Sequence, residues 1–346
     1  MTAHPPAPLL TIVVPSYNAQ DYLHRAIEPL LEVRGIEVIV VNDGSTDATG
    51  TIADSYAALR PDVVRVVHQA NGGHGGAIET GIEHARGLYL KVLDADDWLS
   101  IPSLDYALNT LGRLEPAGGV DALVTDFIHD RVGKANRVSR FDTVFPADRV
   151  FGWDDTQKFG TRQFLLMHAL IYRTEVVRRS GLSLPRHTYY VDNLYVLIPL
   201  AHVRRMYYLP VGLYHYFIGR VDQSVNADVM VRNIDQQLLV NRIALSSLPS
   251  PADVASGAVP PRLYAALVHY VEALCAVTSA TLARGGRSTH LAKRDAFWRE
   301  LAITNPVVYR KMRRSFIGAS SNLKGTTGRR VTSLAYHVAR RVIGFS

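Results

Sequence analysis

Three carboxylates stand within four residues, Asp94-Ala95-Asp96-Asp97, directly behind the apolar run Leu88–Leu93. One Asp at a strand end reads as a helix N-cap, and Asp47 is read that way. Three together repel one another unless a cation or hydrogen-bond donors neutralise them. Oxygen ligands with no Cys or His beside them suit Mg2+ or Mn2+, and a bound diphosphate could complete the shell. Three more segments follow short apolar runs: Pro15-Ser16-Tyr17-Asn18, Asn42-Asp43-Gly44-Ser45 and Asn71-Gly72-Gly73-His74-Gly75-Gly76. The glycine run could bring backbone amides close to a phosphate or sugar, or could simply be a tight loop. It lacks both the dinucleotide fingerprint and the Gly-Lys-Ser/Thr of a Walker motif. His74 is expected to face solvent.

These residues need a scaffold that gathers loops. Apolar runs at Leu10–Val14, Glu37–Val41, Val63–Val67 and Leu88–Leu93 alternate with helical patterns at Asp21–Val33, Asp47–Leu59 and Ala77–Ala85. Such alternation implies an α/β fold with a largely parallel sheet covered on both faces. Right-handed crossovers then bring the loops after the strands to one edge. Further on, 101–115 reads as a helix, Asp121–Phe127 as a strand and 128–160 as irregular. His168–Tyr172 reads as a strand, Thr174–Arg179 and Val191–Ala201 as helices, and Met206–Leu209 and Gly212–Ile218 as two strands. From Asp228 the pattern is helical, interrupted by a Pro- and Gly-rich linker at Leu248–Pro261. The expected division is a catalytic domain over 1–226 and a helical C-terminal region over 227–346.

With these pieces in order, the chain resembles the inverting family 2 glycosyltransferases of GT-A fold, a Rossmann-like mixed sheet. The resemblance runs through Thr11–Asn18, Val40–Asp47, Asn71-x-Gly73 to Gly87 and Leu93–Trp98. It continues through Tyr190-Val191-Asp192-Asn193 and Tyr214-His215-Tyr216 to Arg220-Val221-Asp222-Gln223-Ser224. It implies a metal-dependent transfer of sugar from a nucleotide-diphosphate donor, a UDP-sugar by preference, to a glycan, polyol or lipid-linked cell-envelope acceptor.

The resemblance also implies roles. Pro15, Tyr17, Asn18, Asp43, Gly73, Asp94 and Ala95 would line the nucleotide-sugar pocket, Tyr17 stacking on the base and Asp43 accepting from a base N–H. Asp96, with Asp94, would hold Mn2+ or Mg2+. Asp97, Trp98, His168, Arg220, Gln223 and Ser224 would contact acceptor or diphosphate. Asp192 would be the general base. The bland readings stand beside these: Asp192 as an N-cap, His168 as a structural histidine, Arg220 in a surface salt bridge. Where relatives carry Ala-Arg-Asn, this chain has Ala77-Ile78-Glu79.

Composition narrows the field. The 346 residues carry 38 Lys+Arg against 31 Asp+Glu, and the formal charge is +7. Nine of the basic residues, and no acidic one, fall in 310–346, which leaves 29 basic against 31 acidic, a net −2, for the rest. One cysteine excludes a disulfide framework and a Cys-based zinc cluster. Positions Val331, Leu334, Val338, Val342 and Phe345 have helical spacing flanked by Arg. That tail could lie on an anionic membrane surface, or pack on the body or a second copy in a homo-oligomer. No nucleic-acid module accompanies the charge. No apolar run is read as approaching the ~18–20 residues of a membrane span, and the N-terminal run is too short for a signal segment. The expected location is cytoplasmic, with peripheral attachment to the inner membrane face as an option. Two rival readings are a nucleotidyltransferase on a related fold and a catalytically silent sugar- or polyanion-binding module.

Overall fold

The computed structural model describes residues 7–161, 163–219 and 227–323. Arg220, Gln223, Ser224 and the tail pattern 328–345 lie outside the described residues.

The chain divides into two compact units. The first runs to Gln157 and takes up again over Leu165–Ile218. Its elements begin with β1 (Leu10–Ser16), α1 (Leu23–Ile27), β2 (Ile36–Asp43), α2 (Thr49–Leu59), β3 (Val64–Gln69), α3 (Gly73–His84) and β4 (Tyr89–Val92). Then come β5 (Trp98–Leu99), α4 (Ile101–Leu114), β6 (Ala122–Arg131), β7 (Arg137–Ser139), β8 (Val150–Phe151), β9 (Leu170–Arg173), α5 (Thr174–Arg179), α6 (Asp192–Leu200) and β10 (Met206–Ile218).

One sheet carries the order β3-β2-β1-β4-β9-β6-β10-β5, with β7 added on β6 and β8 on β10. Strands β3, β2, β1 and β4 are mutually parallel, whereas β9 runs antiparallel to both β4 and β6. The sheet is thus mixed, not largely parallel: its N-terminal half alone follows the strand–helix alternation. Every residue of β1 and β2 is buried, as continuous apolar strands covered on both faces require. Pro15 pairs with Val41 beyond Val13↔Val92, the last register pair with β4. Its missing N–H therefore costs no ladder bond on that side.

Helix α3 starts at Gly73, four residues before the expected Ala77, so the glycine run is mostly the first helical turn. Arg178 Nη2 donates to the carbonyls of Ile82 (2.9 Å) and Ala85 (2.7 Å) at the other end of that helix, satisfying carbonyls a helix end leaves open. Strand β10 is one element, not two; register shifts around Gly212 absorb Pro210 without ending the pairing to β6.

The second unit contains Lys158–Phe164 and the residues from Gly219 on. It is helical: α7 (Ala227–Arg232), α8 (Ile234–Ser246), α9 (Pro251–Ala255), α10 (Pro261–Gly285), α11 (Ser288–Thr304), α12 (Pro306–Arg314) and α13 (Phe316–Ser321). The expected linker thus holds a short helix, α9, with a Ser250/Asp253 capping box. Helix α10 is long and apolar enough to cross a membrane by length and composition, which the sequence reading missed. Of its apolar window, 67% is buried, which fits the central helix of a packed bundle. On α10, His269 lies flat between Phe164 (centroids 5.0 Å apart) and Phe159 (6.2 Å). Burial pushes its pKa down to about 4.

Candidate active site

Parallel β1, β2 and β4 end side by side, so the segments after them form one wall. Asn18, in left-handed backbone (φ 48°), fastens two of these segments. Its Oδ1 accepts from Thr46 N–H (2.9 Å) and its own N–H donates to Ser45 Oγ (3.1 Å). Asn18 is therefore tied to a neighbouring loop by the groups expected to meet ligand. Asp47 was read as the N-cap of α2; that position is Ala48, and Asp47 accepts from Thr49 N–H (2.9 Å) from one residue further out. Tyr17 stands beside it with 54% of its surface exposed, an open aromatic face on the same wall.

Asp43, at the end of β2, is 2% exposed. Its Oδ1 accepts from Gln69 Nε2 (2.6 Å) and Gly72 N–H (2.7 Å). Gln69 Oε1 in turn accepts from Thr80 (2.6 Å). Gly73, with φ 76°, has a second reason to be glycine: a side chain there would meet His187 backbone at 2.7 Å.

The acidic turn is pinned from behind. Asp97 N–H donates to Asp94 O (3.0 Å), closing 94–97 on itself. Tyr214 Oη accepts from Asp94 N–H (3.1 Å) and donates to Asp97 Oδ2 (2.6 Å), while Phe217 N–H donates to Asp97 Oδ1 (2.8 Å). Asp97 was expected to face sugar or acceptor; it is 1% exposed and both its oxygens are engaged. It is a tie between the turn and β10. Trp98 stacks on His215 (5.1 Å), and the Arg25 guanidinium sits over both Trp98 (4.3 Å) and Phe217 (4.5 Å) while donating to Asp96 O.

Ala95 is buried and Asp94 and Asp96 are half-buried. Burial, then Asp96 and Asp192, raise the Asp94 carboxyl well above the usual range. Asp97 is raised well above it by burial and by Asp96 and Asp94. Asp192 is the first residue of α6, after the N-cap Val191, and its Oδ1 accepts from Asn193 Nδ2 (3.3 Å), so it stands inside the helix and not at the N-cap position. Burial raises its carboxyl, and His74 works against that rise.

His74 is the residue the sequence reading undervalued. It is 38% exposed, with Nε2 3.6 Å from Asp94 Oδ1. The protein packed around it pushes its pKa down, while Asp192, Asp96 and Asp43 act upward. It thus feels four expected site carboxylates together, as Tyr216 also does. Its signal in the sequence was only its place inside the glycine run.

His168 is 7% exposed, stacked on Tyr216 (4.5 Å) and tilted against Tyr214 (4.5 Å). Burial and Lys91 hold its pKa well below the ordinary value. Ligand atoms of Asp94, Asp97 and His168 lie within 4.8 Å of one another. His168 Nδ1 is buried without a partner among the described residues. Carboxylate oxygens with one imidazole are a donor set that fits Mn2+ well and Mg2+ less well.

Comparison with known families matches residues 11–175 to Glycosyl transferase family 2. Residues 11–175 are a family 2 glycosyl transferase domain. An uncharacterized glycosyltransferase of Bacillus subtilis (strain 168), EpsJ, is 46% identical over 95 residues, covering 27% of this chain and 27% of that protein. The uncharacterized glycosyltransferase YibD of Escherichia coli (strain K12) is 28% identical over 220 residues, 62% of this chain and 63% of that protein. The matched part thus spans about a quarter to under two thirds of these relatives.

Among solved structures, S. aureus TarS in complex with UDP-GlcNAc aligns with TM-score 0.54 at 18% identity, covering 90% of each chain. The mannosyltransferase PcManGT of Pyrobaculum calidifontis, in complex with GDP-Man and Mn2+, aligns with TM-score 0.53 at 17% identity, covering 97% of this chain and 86% of that one. At such identities the likeness is one of fold. The family 2 domain here is built on the GT-A fold, and helices follow it.

Proposed function

We propose that the protein is a metal-dependent inverting glycosyltransferase using a nucleotide-diphosphate sugar. The observation that carries this reading is one cluster in which His74 is subject to Asp43, Asp96 and Asp192 and lies 3.6 Å from Asp94. These residues come from four separate segments of the chain. A half-buried carboxyl with raised pKa is a stronger base than a fully solvated one, which suits Asp192 to receive a proton. The acceptor hydroxyl oxygen forms the new bond to the anomeric carbon and passes its proton to Asp192. The bond to the donor phosphate oxygen breaks, and the nucleoside diphosphate leaves with that electron pair. Asp94 and Asp96 would hold a divalent cation, which when bound supplies positive charge against the leaving diphosphate. His168 lies close enough to the acidic turn to join them.

A UDP-sugar is the favoured donor, and a glycan, polyol or lipid-linked envelope acceptor the favoured class. The basic face of α12 supports a cytoplasmic protein resting on the inner membrane face. Arg310, Arg313 and Arg314 are exposed there, without ion pairs among the described residues. Each basic group near an anionic lipid surface contributes about 1 kcal/mol.

The test of the chemistry is Asp192→Asn. Donor affinity should stay within about twofold of wild type, and transfer should fall by about a hundredfold or more. Transfer at the wild-type rate would remove Asp192 as the base.

A further inference from the structure

We propose that Arg186 is a specificity-determining residue which, with Asp43, selects a donor base presenting N–H beside C=O. Uracil and guanine carry that edge; cytosine and adenine do not. This rests on the nucleotide-sugar reading above and adds to it the residue that chooses the base.

A methyl at Gly72 would stand 2.5 Å from Arg186 Nη1, and one at Gly76 would stand 3.2 Å from the same atom. The missing side chains are the seat of this guanidinium. Gln69 Nε2 lies 3.4 Å from the first of those points and 3.8 Å from the second. Gln69 Nε2 and Gly72 N–H are also the two donors on Asp43 Oδ1. Guanidinium, amide and carboxylate therefore converge on Gly72, although they come from residues 186, 69 and 43.

The seat is held in place. His187 N–H donates to Gly72 O (3.0 Å), and Leu184 N–H donates to Glu79 Oε1 (2.7 Å). Thr188 Oγ1 donates to Arg186 O (3.0 Å). Gly75 allows Leu184 Cβ and Pro185 O to come within 2.9 and 3.2 Å of where its own side chain would be. So segment 184–188 is strapped along α3, and Arg186 leaves it at a fixed point.

Arg186 is open to a ligand, and Asp43, though 2% exposed, keeps one oxygen without a donor among the described residues. Arg186 is exposed, and among the described residues no carboxylate or carbonyl takes its guanidinium. Asp43 has one oxygen saturated and fixed in plane; among the described residues nothing donates to Oδ2. No ion pair joins the two. An acceptor and a donor held near one another without neutralising each other match a base edge of opposite order. A base N–H donates to the carboxylate, and the adjacent C=O accepts from the guanidinium. Cytosine and adenine present a ring lone pair and an amino group there, so acceptor meets acceptor and donor meets donor. A site built to hydrogen-bond one edge rejects the edge that leaves its polar groups unpaired.

The experiment is calorimetric titration of the full-length protein with UDP, GDP, CDP and ADP, each with Mn2+. UDP or GDP should bind about ten- to a hundredfold more tightly than CDP and ADP. Arg186→Gln should weaken the preferred nucleotide about tenfold and bring all four within a few-fold, with an unchanged thermal melt because the side chain is exposed. Gly76→Ala keeps the arginine but crowds its seat, and should reproduce part of that loss. Selectivity retained in Arg186→Gln, or CDP and ADP binding as well as UDP and GDP in wild type, overturns the proposal. If wild type binds none of the four, the nucleotide-sugar reading falls and takes this assignment with it; if it binds them but Arg186→Gln is indifferent, only the assignment falls.

Discussion

Lys91→Met should flatten a defined stretch of the pH–stability profile. Lys91 sits on β4 with no exposed surface, its Nζ donating to His168 O (2.8 Å) and Leu170 O (3.4 Å) and 5.1 Å from the Tyr214 ring centroid. Among the described residues no carboxylate pairs with it. Burial lowers its pKa from 10.5 to about 7. Between those values the unfolded chain holds the proton and the folded chain has released it. Stability must therefore rise with pH across this window, and the contribution is lost as pH falls through about 7. At about 1.4 kcal/mol per unit the full window is worth about 5 kcal/mol, and the span from about pH 7 to about pH 9 about 2–3 kcal/mol. Methionine has similar bulk and no proton. The carbonyls it leaves unbonded cost about 1–3 kcal/mol each, at either pH. In urea melts followed by tryptophan fluorescence, wild type should gain about 2–3 kcal/mol on the variant between about pH 7 and about pH 9. Trp98 and Trp153 report from the unit that holds Lys91. An equal wild-type-to-variant difference at both pH values would refute the buried-cation argument.

Other expectations follow from the same geometry. Mn2+ should raise the melting temperature more at about pH 7.5 than at about pH 5.5. The raised carboxyls of Asp94 and Asp97 destabilise the ligand-free fold as pH climbs past 3.8, and a cation can replace their protons only once these can leave; equal rises at both pH values would dismiss this. Gly87→Ala should cost about 1–3 kcal/mol, because the new methyl meets the Thr11 backbone, which cannot rotate away; an unchanged melt would show that β1 yields. Replacing Arg310, Arg313 and Arg314 together by Gln should weaken binding to anionic vesicles roughly tenfold or more while sparing nucleotide binding; undiminished vesicle binding would exclude α12 as the contact.

What the sequence disclosed depended on how local each cause was. Strands β1, β2 and β4 stood out because their apolar runs are unbroken and their ends carry polar turns. Helix α3 was read four residues short: its glycines look like a loop, and their reason lies in the strap at 184–188, about 110 residues away. Strand β10 looked like two because Pro210 and Gly212 interrupt it, while the pairing with β6 that carries it across is a tertiary fact. The Asp94–Asp97 turn was legible as an acidic constellation. The burial of Asp97 was not, since it is set by Tyr214 and by the backbone of Phe217. Arg25 gave no signal at all: one basic residue on a short helix, it acquires meaning only from the rings of Trp98 and Phe217.

The excursion of Lys158–Phe164 into the helical unit has a topological consequence. The polypeptide passes from one unit to the other at 157/158, returns at 164/165 and leaves again at 218/219. No single cut therefore separates the two units. A gene truncated after residue 226 would retain Phe159 and Phe164 but lose His269, the ring on which both stack. The catalytic half so produced would carry an orphaned aromatic peptide in its middle. Any attempt to isolate the family 2 domain must excise or redesign residues 158–164 as well as the C-terminal helices.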